Sequence, residues 1–83
     1  MPALQIKLFA ILRERFDTES LAFESPAPSL TAAELMRLLQ ERFPDRAHLI
    51  SLSRLAVNHR FATADEKVGA DDELALIPPV SGG

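Results

Sequence analysis

Alternating apolar and polar residues mark the start of the chain as a β-strand. Apolar side chains occupy every second position from Leu4 to Leu8, and Gln5 and Lys7 lie between them. This period of two is typical of a strand with one buried face. Phe9 continues the segment and gives the other face some apolar character.

A second strand follows after a short connection. Residues 11–16 have room for one helical turn before the polar run 17–19, after which Leu21 and Phe23 alternate with less apolar neighbours. We interpret the two strands as a hairpin. The segment 25–29 contains two prolines, which fix their own φ and disfavour helix in the preceding residue, so it predicts a stiff connector.

The best-marked element is a helix over residues 32–43. Thr31 and Glu34 have the spacing of a capping box, in which each side chain accepts a hydrogen bond from the backbone N–H of the other residue. Pro44 predicts the end of the helix, and residues 45–50 predict a short turn. The apolar side chains recur at helical spacing and form one stripe, which consists of Leu35, Leu38, Leu39 and Phe43.

Two further strands complete the pattern. Residues 54–58 predict a third strand, and Asn58-His59 predicts a tight reversal because asparagine tolerates a positive φ. An acidic turn at 71–73 precedes the last strand, Leu74–Ile77, which is apolar on both faces. Such a strand is either central in a sheet or covered on its outer face by a partner.

The order of elements is strand, strand, helix, strand, strand, which places the chain in the α+β class. Because the helix joins two hairpins, the first and last strands can lie side by side in parallel. This is the plan of a β-grasp, or ubiquitin-like, domain, with a mixed sheet of four to five strands packed on one main helix. We expect residues 1–77 to form this domain and residues 78–83 to project from it as a tail.

Composition narrows the classes of function. The 83 residues carry a net charge of −3, and the nine basic residues are scattered, so we expect no nucleic-acid partner. The chain has no cysteine and no apolar stretch near the roughly 18 residues of a membrane span, so we expect a cytoplasmic protein without a membrane partner. His48 and His59 stand alone, without the spacing of a metal site. We therefore expect no bound metal or cofactor and no catalysis by the chain on its own.

The chain ends in the sequence IPPVSGG. Pro78 and Pro79 favour an extended backbone, and from Pro78 to Gly83 such a tail spans roughly 20 Å. Gly82 and Gly83 lack Cβ atoms and can pass through a channel too narrow for side chains. The reactive group is the Gly83 α-carboxylate, which is a poor electrophile until an ATP-using partner adenylates it. A sulphur nucleophile can then displace AMP and leave a thiocarboxylate.

Three segments resemble one protein family. DDELAL followed by IPPVSGG resembles the C-terminal signature of the small subunits of molybdopterin synthase, the sulphur carriers of molybdenum-cofactor biosynthesis. IKLFAILRE (6–14) resembles their first strand and following turn, and LAVNHRF (55–61) resembles their third strand. Asp71 stands where this family usually has glycine, which leaves open whether the turn before the last strand needs a positive φ.

The resemblance implies a carrier that works with three other proteins. A ubiquitin-activating-like adenylyltransferase would consume ATP to adenylate Gly83, and a sulphur donor would convert the adenylate to the thiocarboxylate. The large subunit, in a heterotetramer with two copies of each chain, would then take the sulphur for the dithiolene of molybdopterin. The chain would thus be a non-catalytic subunit of a sulphur-transferring complex.

The resemblance also assigns candidate site residues. Gly83 would be the reacting terminus, and Gly82 would thread into the partner behind it. The partner-binding stalk would consist of Ile77, Pro78, Pro79, Val80 and Ser81. Phe9 and Arg13, from the first strand and the turn after it, are further candidates for the partner surface, although Phe9 also fits a core position.

Two other functions remain open. A sulphur carrier of the thiamine pathway also ends in Gly-Gly on a β-grasp body, but it typically lacks the Pro-Pro-Val segment. A ubiquitin-like modifier would instead join Gly83 to lysine side chains, and a plain interaction domain would not use the terminus chemically.

Overall fold

In the computed structural model of the protein, residues 3–79 are described, and they form a five-stranded sheet whose inner face packs on helices. The elements, in chain order, are β1 (Ala3–Leu8), α1 (Ala10–Phe16), β2 (Ser20–Glu24), β3 (Leu30–Thr31), α2 (Ala32–Arg42), α3 (Ala47–Leu52), β4 (Arg54–Val57), β5 (Arg60–Phe61), β6 (Lys67–Val68) and β7 (Leu74–Ile77). A 3₁₀-helix over Pro44–Arg46 links α2 to α3. The strand order in the sheet is β2-β1-β7-β4-β5, and β3 and β6 form a separate two-stranded ladder.

Strand β7 lies in the centre of the sheet, between β1 and β4. It runs parallel to β1, with Ile6 opposite Leu74 and Leu8 opposite Leu76, and antiparallel to β4. Strand β2 pairs antiparallel with β1, and β5 pairs antiparallel with β4. The parallel pairing of the first and last strands and the mixed sheet confirm the predicted α+β, β-grasp fold.

The alternation of apolar residues along the strands places one face of the sheet in the core. Helix α2 covers that face with its apolar stripe, and Leu39 at the middle of the stripe is fully buried. Removal of these side chains from water is the main driving force for folding. The buried aliphatic side chains among the described residues are Leu4, Ile6, Leu8, Leu12, Leu30, Ala32, Leu35, Leu39, Ile50, Leu55, Val57, Val68, Leu74 and Leu76.

The N-terminus of α2 carries the predicted capping box. The backbone N–H of Glu34 donates to Thr31 Oγ1 at 3.1 Å, and the backbone N–H of Thr31 donates to Glu34 Oε1 at 2.8 Å. The bond from the Thr31 backbone, together with one from the Thr31 hydroxyl, lowers the pKa of Glu34 from its ordinary value of 4.5. The helix ends at Arg42, one residue before the predicted end, and Pro44 begins the 3₁₀-helix.

Two helices are longer than the sequence pattern predicts. The pattern predicts one helical turn within residues 11–16 and one short turn within residues 45–50. A helical turn takes about 3.6 residues, whereas α1 has seven residues and α3 has six. Helices this short are marginal in isolation. They are stabilised by burial of Leu12 and Ile50 in the core, which is a tertiary contact that no local pattern shows. The β3–β6 ladder also went unpredicted, because strands of two residues have no detectable period.

The turn after β4 and the turn before β7 lie at the same end of the sheet and differ in their backbone requirements. Asn58 and His59 reverse the chain between β4 and β5 with φ of 52° and 72°, which confirms the predicted tight turn. Asp71 is not among the described residues with positive φ, so the acidic turn does not need glycine there. Asp72 holds that turn instead, because its carboxylate accepts from the Gly69 backbone N–H at 2.8 Å and from Asn58 Nδ2 at 3.0 Å.

We predict that Leu39→Ala destabilises the domain by roughly 2–5 kcal/mol, because the side chain is fully buried and its removal leaves a cavity. Urea unfolding followed by circular dichroism measures the change. Leu52→Ala is the matched control, since Leu52 is 52% exposed and its truncation should cost less than about 1 kcal/mol. Equal losses in the two variants would contradict the assignment of the inner face of α2.

Candidate functional site

The outer face of the sheet carries a row of side chains that crosses four strands. Lys7 of β1 lies opposite Ala75 of β7, Ala75 lies opposite Ala56 of β4, and Ala56 lies opposite Phe61 of β5. Side chains alternate between the two faces of a strand, so this row points away from the core. Because two alanines lie between larger residues, the outer face contains a depression of about 400 Å³.

Two exposed phenylalanines line this outer-face depression. Phe9 is 45% exposed and Phe61 is 48% exposed, although both are large and apolar. The guanidinium carbon of Arg54 lies 3.8 Å from the centre of the Phe61 ring, as in a cation–π contact. Exposed aromatic and arginine side chains around a small apolar hollow are typical of protein–protein contact sites.

Backbone geometry at the end of β1 explains why Phe9 is exposed. The strand ends at Leu8, Phe9 is the extended N-cap residue of α1, and Ala10 has a φ of 51°. A positive φ costs a residue with a Cβ atom about 1–2 kcal/mol, and here it turns the chain sharply from strand into helix. Phe9 therefore projects at a corner of the domain, and its interpretation as a core residue is wrong.

Charged side chains line one end of the outer-face depression. Glu73 Oε2 lies 3.2 Å from His59 Nε2 and 3.9 Å from Lys7 Nζ. Arg60 donates through both terminal nitrogens to the Glu66 carboxylate, and these hydrogen bonds lower the pKa of Glu66 and raise the pKa of Arg60. Exposed ion pairs contribute little to folding stability. Lys7, His59, Arg60 and Glu73 thus give the hollow a polar rim.

The last strand leads the chain to a second apolar depression. After Ile77 the chain leaves the sheet, with Pro78 half-buried and Pro79 exposed. This tail-base depression has a volume of about 700 Å³ and is lined by Phe9, Ala10, Ile11, Leu49, Ile77, Pro78 and Pro79. Phe9 and Ile77 line both depressions, so the outer face and the tail base form one continuous apolar surface.

The structure brings together four of the residues predicted from the sequence. Phe9, Ile77, Pro78 and Pro79 meet at the tail base. Arg13 lies in α1 and lines a neighbouring depression together with Phe9. The remaining candidates lie outside the described residues, and they are Val80, Ser81, Gly82 and Gly83.

Sequence reasoning identified Phe9 and Ile77 but missed the other apolar residues of the outer-face depression. Ala56 and Ala75 are small and carry no chemical signal, and Phe61 follows a turn in a strand of two residues. The one indication in the sequence is that Leu74–Ile77 is apolar on both faces. Which residues lie beside Ala75 depends on strand register, and a single sequence does not display register.

The described part of the chain offers neither a metal site nor a membrane span. Residues 3–79 contain no group of three or more His, Asp or Glu side chains that could hold a metal ion. Over the same residues, no helix has the length and apolar character needed to cross a membrane. The outer-face depression presents aromatic rings, guanidinium groups and small aliphatic side chains, with Lys7, His59 and Glu73 at one end, and this mixture suits contact with another protein.

A model of the ThiS family matches residues 6–83. The chain belongs to this family. Two curated relatives, both named molybdopterin synthase sulfur carrier subunit, are each 36% identical to it. The match covers 95% of this chain and 94% of the protein from Dictyostelium discoideum, and 96% of this chain and 82% of the protein from Arabidopsis thaliana. The resemblance to sulphur carriers of molybdopterin synthase is thereby confirmed.

A solved structure shows the same fold as this ThiS-family chain. The crystal structure of SAMP1 from Haloferax volcanii is 27% identical and has a TM-score of 0.76, over 98% of this chain and 99% of that one. SAMP1 denotes a small archaeal modifier protein. The likeness over nearly the whole of both chains supports the β-grasp assignment.

We predict that Phe9→Ala costs less than about 1 kcal/mol of folding stability, because the ring is nearly half exposed. Leu8→Ala, one residue earlier, should cost roughly 2–5 kcal/mol because Leu8 is 2% exposed. Urea unfolding of both variants beside the wild type measures the difference. A loss for Phe9→Ala as large as that for Leu8→Ala would place the ring in the core.

Proposed function

We propose that this chain is a sulphur carrier of molybdopterin synthase and that the Gly83 carboxylate carries the sulphur. The observation that carries the proposal is the continuous apolar surface that joins the outer sheet face to the tail base through Phe9 and Ile77. A sulphur carrier needs such a surface because other proteins must bind it in a position that brings its C-terminal carboxylate into their active sites. The ThiS-family match, which includes residue 83, and the names of the curated relatives support this function.

Sulphur loading takes place in steps that other proteins catalyse. The Gly83 carboxylate, ionised at neutral pH, attacks the α-phosphate of ATP, which forms an acyl adenylate and releases pyrophosphate. A persulphide of the sulphur donor then attacks the acyl carbon, and AMP leaves as an acyl disulphide forms. A thiol finally cleaves the sulphur–sulphur bond, so that the thiocarboxylate leaves and the thiol becomes part of a disulphide.

Sulphur delivery takes place in the large subunit. The thiocarboxylate sulphur attacks a side-chain carbon of the cyclic pyranopterin precursor, the carbon–oxygen bond at that carbon breaks, and the oxygen substituent leaves, which forms a thioester between carrier and pterin. Hydrolysis of the thioester returns the Gly83 carboxylate and leaves the sulphur on the pterin, and two such transfers build one dithiolene. In this mechanism the acid–base groups and the substrate pocket belong to the large subunit, and two copies of each chain form the complex.

The folded body determines where the reactive terminus lies relative to a bound partner. A partner seated on the outer face, with an apolar side chain in the hollow over Ala56 and Ala75, has the tail base at the edge of the contact. The extended chain from Pro78 to Gly83 spans roughly 20 Å, so docking confines the reactive end to a small volume. Such confinement raises its effective concentration at the partner's active centre.

A protein modifier is the second function that a specific observation favours. SAMP1, which is 27% identical to this chain, is named as a modifier protein. A modifier would use the same acyl adenylate, but a lysine amine would replace the persulphide as nucleophile. A carrier of the thiamine type would share the loading chemistry and differ in the acceptor, although the Pro78-Pro79-Val80 segment favours the molybdopterin synthase type.

We predict that incubation with ATP, a ubiquitin-activating-like enzyme and a sulphur donor raises the intact mass by the difference between one sulphur and one oxygen atom. Intact-mass spectrometry measures this change. Lysine conjugates would indicate a modifier instead, and an unchanged mass would contradict both functions. Addition of the large subunit and pyranopterin precursor should then consume the sulphur, whereas transfer to a thiazole precursor would indicate the thiamine pathway.

Two variants in the same assay separate the tail from the body. Deletion of Gly83, or an alanine appended after it, should abolish sulphur transfer because the adenylated carbon is displaced from its place in both partners. The urea midpoint should stay at the wild-type value, since glycine has no side chain to bury. Full sulphur transfer by either variant would refute the role of Gly83.

We predict that Ala75→Leu weakens binding to the large subunit at least about tenfold, because the larger side chain fills the hollow that the partner occupies. Folding stability should change by less than about 1 kcal/mol because Ala75 faces outward. Ala22→Leu is the matched control, on the outer face of β2 opposite Gln5, and should bind like the wild type. Isothermal titration calorimetry with the large subunit measures both, and wild-type affinity for Ala75→Leu would rule out docking in this hollow.

A further inference from the structure

A second apolar patch lies on the helix side of the tail base. Four large apolar side chains among residues 3–79 are exposed, and Phe9 and Phe61 belong to the outer face. The other two are Ile11 of α1, 39% exposed, and Leu52 of α3, 52% exposed. Together with half-buried Leu49 they line a depression of about 240 Å³, and we call these three residues the helix-side patch. None of the three lines the outer-face depression.

Arginine side chains border the helix-side patch. Arg46 is held in place, because its Nε donates to the carbonyl oxygen of Arg15 at 2.9 Å and its guanidinium carbon lies 5.0 Å from the centre of the Phe16 ring. Arg15 is exposed and forms no ion pair within residues 3–79. Asp45 is the single acidic residue that lines the depression in that part of the chain. A complementary surface is therefore apolar and carries a carboxylate opposite Arg15.

The helix-side patch is continuous with the tail base. Ile11 and Leu49 line both its own depression and the depression around Pro78 and Pro79. The outer face joins the same tail base through Ile77. The start of the tail is thus bordered by two apolar surfaces, one on the sheet side and one on the helix side.

The reach of the tail requires a partner to come close to both surfaces. The four residues from Val80 to Gly83 span at most roughly 14 Å when fully extended. An enclosed reactive centre lies below the surface of its protein, so a partner that admits Gly83 must approach the body around Pro78 and Pro79. Its surface then also comes near Ile11 and Leu49, which flank those prolines.

The surface area that a stable interface buries also favours contact on both sides of the tail base. A specific, stable interface buries about 800 Å² on each partner, which is roughly 15% of the 5248 Å² accessible surface of this chain. A single hollow on the outer face is small beside that area. Contacts on both sides of the tail base supply more of it, and they also oppose rotation of the body about the tail.

We propose that the helix-side patch is a second contact surface for the large subunit. An apolar side chain of the large subunit seats against Ile11, Leu49 and Leu52, and a carboxylate of the large subunit faces Arg15. The inference rests on the proposed function, in which the large subunit forms a stable complex with this chain and takes Gly83 into its active site.

The test measures binding of the full chain to the large subunit by isothermal titration calorimetry at low and high salt. Leu52→Glu should weaken binding at least about tenfold at both salt concentrations, because it places a charge in an apolar contact. Arg15→Glu should weaken binding about fivefold or more at low salt and less at high salt, because salt screens exposed charges. Ala33→Glu is the control, since it adds a carboxylate at an exposed position that lines none of these depressions, and it should bind like the wild type.

Three results would overturn the proposal. The first is wild-type affinity for the large subunit in both patch variants. The second is that the patch variants bind the large subunit normally but are adenylated poorly by the activating enzyme, which would assign the patch to that enzyme. The third is self-association of the isolated chain that Leu52→Glu abolishes, which would assign the patch to a second copy. If Leu52→Glu does not fold, exposed Arg15→Glu decides the question by its salt dependence.

The wild type in the same titration keeps this inference separate from the proposed function. A wild-type chain that neither binds the large subunit nor transfers sulphur would contradict the proposed function itself. A wild-type chain that does both, beside patch variants that bind as well as it does, would contradict the helix-side patch alone.

Discussion

The parallel pairing of β1 with β7 is the interaction on which the other features of the molecule depend. It joins the first and last strands of the domain at the centre of the sheet, with Leu8 opposite Leu76. Parallel strands end at the same edge of a sheet. The pairing therefore brings Phe9 and Ile77 out together, beside the first turn of α1, and sets the start of the tail in an apolar surrounding.

The side chains of β7 alternate between the core, where they stabilise the fold, and the outer face, where they are available for contact with a partner. Leu74 and Leu76 are buried in the core, while Ala75 and Ile77 line the outer-face depression. Because successive side chains point to opposite faces, a slip of one residue in register would exchange the two sets. Core packing thus fixes the register, and the register places Ala75 beside Ala56 to form the hollow.

Much of the fold could be predicted from the sequence because its signals are local. The spacing of Thr31 and Glu34 gives the start of α2, the period of two gives β1, and Asn58 gives the turn after β4. The lengths of α1 and α3 could not be predicted, since they depend on contacts of Leu12 and Ile50 with distant parts of the chain. Local patterns determine where elements begin, and tertiary burial determines how far the short ones extend.

The site could be predicted where residue type itself is unusual, as at Pro78 and Pro79, and where the family resemblance points to a residue, as at Phe9 and Ile77. The hollow requires Ala56, Ala75 and Phe61 to become neighbours across strands, and no spacing in the sequence shows this. Arg54 does not line the hollow but stacks on the Phe61 ring that does. Contact surfaces made of small and apolar residues are therefore visible after the register is known and not before.

A crystal structure of the chain bound to the large subunit measures the central claim most directly, namely that the body seats on its partner to aim the terminus. Gly83 is expected inside an enclosed pocket of the large subunit, with an apolar side chain of that subunit in the hollow over Ala56 and Ala75. A complex in which the outer face remains in solvent and Gly83 lies outside any pocket of the partner would contradict the claim.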